Sequence, residues 1–100
     1  FFAPGHDPDI WRNGWYAETA ITQSAATQAT PLAQWWGGGN APMLVVQALQ
    51  DRIAPAENGR SLKAEFGKRV TLVEIDGAGH AMLPEQPDAI ADAVLDFLKR

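Results

Sequence analysis

The chain has 100 residues, no cysteine and a formal net charge of −4, with 46% apolar and 20% charged residues. Such a composition belongs to soluble globular proteins. It excludes disulfides, thiolate nucleophiles and cysteine metal sites, and the lack of clustered Lys and Arg argues against a nucleic-acid partner. No apolar run approaches the roughly 20 residues that a membrane span needs, so no membrane partner is expected and the cytoplasm is the default location.

The chain opens Phe1-Phe2-Ala3-Pro4, with neither an initiator Met nor the basic start of a signal peptide. It is therefore expected to be a processed, cleaved or trimmed product. Asp7-Pro8 supplies an N-cap followed by Pro at the first helical position, and predicts a helix from about Pro8 to Gln28. Trp11, Trp15 and, more loosely, Ile21 fall near one face of that helix, although Gly14 weakens it by up to about 1 kcal/mol relative to Ala. Pro31 ends the helix, and Leu32 to Trp36 are expected to form one further turn or a short helix. His6, Asp7 and Asp9 are only three potential ligands, one of them engaged as a cap, so no metal site is expected there. Gly37-Gly38-Gly39-Asn40 then punctuates the chain.

Beyond that point the pattern is strand, helix, strand, helix. Met43-Leu44-Val45-Val46 is a continuous apolar run, typical of a strand buried on both faces of a parallel sheet. Pro55 opens a short helix that stops at Gly67. Val70 to Ile75 is the second strand, and a final helix from about Pro87 to Lys99 carries Ile90, Val94, Phe97 and Leu98 as an apolar stripe. A strand–helix–strand unit predicts two parallel strands. Two parallel strands are not a stable sheet by themselves, and the first would present an unpaired edge. The missing strands are expected on another polypeptide.

Two residues stand where chemistry is done in such folds. Asp51 lies just past the first strand and His80 just past the second, the ends at which parallel α/β sheets bind ligands. A neutral imidazole can accept a proton from a nucleophile and return it to a leaving group if a carboxylate fixes its tautomer. The glycines of Gly77-Ala78-Gly79-His80 allow the tight turn that would bring the ring over the strand ends. Taken singly, Asp51 could equally be a helix N-cap or loop acid, and His80 a loop histidine.

The stretch from Pro42 to Pro55 resembles the acid-bearing strand and loop of α/β-hydrolase-fold enzymes. Gly77 to Pro87, with the helix behind it, is similar to that family's histidine loop and last helix. The resemblance covers about residues 41 to 100, with one departure, Ala48, where the family usually has Gly. It implies an α/β fold in which residues 41–100 are the C-terminal strand–helix–strand–helix part of a parallel sheet and residues 1–40 a helical cap segment and linker. It also implies that Asp51 is the triad acid and His80 the general base, with no cofactor needed.

The family's order is nucleophile, acid, base, and no G-x-S-x-G elbow occurs here. Ser24 and Ser61 both fall in predicted helices. The nucleophile and the oxyanion hole are thus expected on an N-terminal portion of the same hydrolase, held as a separate chain. A Ser nucleophile would suit esters, amides, lactones or certain C–C bonds, and an Asp nucleophile epoxides or carbon–halogen bonds. Trp11, Trp15, Trp35 and Trp36, with Ile53 and Met82 beside the catalytic positions, are candidates to line an apolar pocket for a small molecule; equally, the tryptophans could glue the cap to the main domain. A non-catalytic reading is a fragment that acts as a binding or assembly module through its exposed strand edge.

Overall fold

The apolar run at Met43 is the start of β1 (Met43–Ala48), which pairs in parallel with β2 (Val70–Ile75), Met43 opposite Val70 and Ala48 opposite Ile75. The computed structural model describes residues 1–9 and 17–100. Its helices are α1 (Ala17–Ala29), α2 (Ala56–Phe66), α3 (Met82–Glu85) and α4 (Pro87–Leu98), with 3-10 turns at Leu32–Gln34 and Gly67–Arg69. The fold is α/β, a parallel strand–helix–strand–helix unit preceded by a helical segment.

Side chains alternate between the faces of a strand, and this sorts the two long helices of the unit onto opposite sides of the sheet. Ala48 and Ile75 form a buried cluster with Ala78, against which Val46, Val73, Met82, Ala89 and Ile90 pack, so α4 covers this face. On the other face α2 lies close enough that a Cβ on Gly59 would meet Leu72 and Gln47 at 3.0–3.3 Å. Leu62 of α2 is buried there, and burying such a side chain contributes about 1.5–3 kcal/mol. Arg60 ties the exposed side of α2 to Glu74 of β2, Nε to Oε1 at 2.7 Å. Pro55 stands at the N-cap of α2 as its sequence position predicts, and the N–H of Gly67 closes its C-terminus on the carbonyl of Lys63.

Three expectations need correction. Met43 to Val46 are only half-buried, where an apolar run predicts burial on both faces. The reason is that β1 pairs with β2 alone among the described residues, and each helix covers only part of its face. The second concerns α1. From Glu18 to Ala29 its residues are all exposed, Ile21 being 72% exposed. The helix holds by composition: five alanines favour it, while the hydroxyls of Thr22 and Thr27 donate to the carbonyls of Glu18 and Gln23. Trp11, Gly14 and Trp15 lie outside the described residues. Asp7 does accept a hydrogen bond, from the N–H of Asp9 at 2.9 Å, as a capping side chain would.

The third correction is α3, a single turn that the sequence pattern does not predict. The Cα radius of gyration is 15.1 Å, against about 13 Å for a compact domain of this length. No helix among the described residues is long and apolar enough to cross a membrane.

Candidate active site

Beyond β1 the ladder continues for two residues, the N–H of Leu49 donating to the carbonyl of Ile75 and that of Gln50 to the carbonyl of Ala78. Gln50 also locks the two loops together with its side chain. Its Oε1 accepts from the N–H of Ala78 at 3.1 Å, and its Nε2 donates to Oδ1 of Asp76 at 2.5 Å. Asp51 therefore leaves the sheet in a fixed place. Its Oδ1 accepts from the N–H groups of Ile53 and Ala54, both at 2.8 Å, which curls the loop back under the carboxylate. Only 8% of the Asp51 side chain is exposed.

The second loop turns at Gly77, whose φ of 72° lies in the left-handed region that a side chain rarely adopts. It then passes Gly79, where a Cβ would stand 2.6 Å from the carbonyl oxygen of Phe1. This brings Nδ1 of His80 to 3.0 Å from Oδ2 of Asp51. Because the carboxylate is an acceptor, Nδ1 carries the proton and Nε2 is left to accept one; that tautomer is inferred from the hydrogen bonding. Burial works to raise the Asp51 carboxyl. The N–H of Ala54, the hydrogen bond to the His80 ring, the N–H of Ile53 and the electrostatic attraction of His80 together outweigh it and hold the carboxyl below the ordinary aspartate range.

Two clefts flank the pair. One, of about 510 Å³, lies between Phe1–Pro4 and Leu49–Arg52. The other, of about 430 Å³, is mainly apolar and is lined by Phe1, His80, Met82, Leu83, Pro84 and Ile90. Met82 thus lies beside His80. Ile53 reaches the site through its backbone N–H, while its side chain is 59% exposed and lines neither cleft.

Trp35 and Trp36 are not brought to this end of the sheet. Nε1 of Trp36 donates to Oε2 of Glu65 at 2.7 Å, near the C-terminus of α2. The guanidinium of Arg69 holds the carbonyls of Gly37 and Ala41 beside the start of both strands. Six strand residues, roughly 20 Å, separate that end from Asp51 and His80. Trp35 instead covers a depression with Gln23, Ala26, Thr27 and Thr30 of the α1 segment.

Sequence reasoning missed Gln50, Phe1 and Glu85. The carbonyl of Phe1 accepts from the N–H of His80 at 2.6 Å, and its ring meets the imidazole edge-on, 4.8 Å between centroids. Nothing in the local pattern signals contacts between residues so far apart. Ser24 and Ser61 lie on exposed positions of α1 and α2. No group of three His, Asp or Glu residues able to hold a metal occurs among the described residues.

Residues 9–100 match the family model described as TAP-like protein, a family of α/β-hydrolases. The chain belongs to that α/β-hydrolase family. The uncharacterized hydrolase YugF of Bacillus subtilis (strain 168) is a relative, 35% identical over 60 residues, a match that covers 60% of this chain and 22% of that protein. The chain therefore matches less than a quarter of that relative's length. No solved structure matches it.

Proposed function

We propose that this chain supplies the acid, Asp51, and the general base, His80, of an α/β-hydrolase whose nucleophile stands on a more N-terminal portion of the same hydrolase. The observation that carries the proposal is the 3.0 Å contact between Nδ1 of His80 and Oδ2 of Asp51, whose side chain is largely covered, at the carboxyl ends of two parallel strands. The rest of Asp51 is held by backbone N–H groups, so the carboxylate is oriented before any substrate arrives.

In this reading Nε2 of His80 removes the proton from a nucleophile hydroxyl as its oxygen bonds to the substrate carbonyl carbon. Asp51 steadies the imidazolium that results. The same proton passes to the departing alcohol oxygen, and water activated by Nε2 then releases the acid from the covalent intermediate. With an Asp nucleophile the pair would serve only the water step, as epoxide or carbon–halogen hydrolysis requires. The apolar cleft beside His80 favours a small, fairly apolar substrate, and a Ser nucleophile would make an ester its natural type. Of the 1–40 segment, Phe1–Pro4 border the clefts beside Asp51 and His80 and would form part of a cap over that substrate.

The test is His80→Ala in the assembled hydrolase. Turnover of p-nitrophenyl acetate should fall by about 10⁴-fold or more, with co-purification of the nucleophile-bearing portion unchanged. Near-normal turnover would remove His80 from the chemistry. Denaturing mass analysis of the active material should reveal the portion that carries the nucleophile.

A further inference from the structure

Glu85 closes α3 and is 6% exposed, yet no cationic side chain pairs with it among the described residues. A buried carboxylate without a counter-ion is costly unless hydrogen bonds replace its lost water. Here both oxygens act as acceptors. Oε2 accepts from the N–H of Gly79 at 2.6 Å, and Oε1 accepts from the N–H of Ala3. The first bond closes the loop from Gly79 to Glu85 into a ring that contains His80. The second draws in the segment whose Phe1 carbonyl receives the N–H groups of His80 and Ala81 and whose Phe1 ring meets the imidazole. One carboxylate therefore anchors both layers between which the His80 backbone is held.

We infer that Glu85 is a positioning residue for His80. It fixes the loop so that the imidazole keeps its contact with Asp51 and presents Nε2 to the nucleophile. Charge-assisted hydrogen bonds are about twice as strong as neutral ones, and a buried, doubly bonded carboxylate is stiff. The inference rests on the reading of His80 as the base, but the geometry it describes has a readout independent of turnover.

Glu85→Gln is nearly isosteric, but an amide offers one acceptor and one donor, so one of the two N–H groups would face a donor. In the assembled hydrolase, with p-nitrophenyl acetate as probe, kcat should fall on the order of 10- to 100-fold, as misplacement of a catalytic group does, while KM stays within about twofold. The downfield proton resonance of the His80 Nδ1–H, identified by its loss in His80→Ala, should broaden or disappear. Glu85→Met removes both acceptors without burying an unpaired charge, and should lose at least as much kcat. Wild-type kcat in both variants, or an unchanged imidazole resonance, would overturn the inference. If His80→Ala kept its turnover, the catalytic reading would fail alone, and the resonance would still decide the role of Glu85.

Discussion

Asp51 and His80 are 29 residues apart in sequence and meet at 3.0 Å, Oδ2 to Nδ1, because β1 and β2 run in register and end together. The last paired residues are Ala48 and Ile75, and each loop places its polar side chain within five residues of that line. The contact follows from the register. A slip of β1 against β2 by one residue would turn its side chains to the other face and remove the pair.

The Asp51 carboxyl is held below the ordinary aspartate range, so its ionised form is favoured by folding. A depressed folded value means that this stabilisation is present in full above the unfolded pKa, about 3.9 for aspartate, and is lost as the pH falls through the folded value. Asp51→Asn should therefore be less stable than wild type at neutral pH, and the difference should close on acidification below roughly pH 4. Urea unfolding at a series of pH values reads this directly. The same variant should lose about 10⁴-fold in kcat through the wrong imidazole tautomer.

Gly79→Ala tests the close approach of two chain segments. The added methyl would stand 2.6 Å from the carbonyl oxygen of Phe1 and 2.8 Å from the nitrogen of Ala3, both backbone atoms that cannot rotate away. Segment 1–3 should be pushed off the histidine loop, at a cost of about 1–3 kcal/mol. Amide exchange at His80, whose N–H now donates to Phe1, should accelerate in step with the loss of stability. An unchanged exchange rate would show that the segment is not packed there.

Trp36→Phe removes the hydrogen bond to Glu65 at the opposite end of the sheet from the candidate site. It should cost no more than about 1 kcal/mol, the net worth of such a bond at the surface, and leave kcat/KM within twofold of wild type. Trp35→Ala should likewise leave kcat/KM within twofold of wild type. A several-fold rise in KM with either variant would return these tryptophans to the substrate pocket.

The order of elements was legible because its signals are local. Pro55 and Gly67 bound α2, and the two apolar runs mark the strands wherever the rest of the chain goes. Asp51 and His80 could be singled out for the same reason: each follows its strand by a few residues. Sequence alone thus determined both strands, α2 and α4, and where two titratable side chains leave the sheet, though not the turn of α3. Only the tertiary structure decided that the two meet, that α1 exposes Ile21, that Trp35 and Trp36 sit at the far end of the strands, and that Glu85 is buried between Gly79 and Ala3. Burial and partnership of this kind depend on segments up to 82 residues apart. Local propensity and periodicity carry no record of which distant backbone N–H a carboxylate will reach.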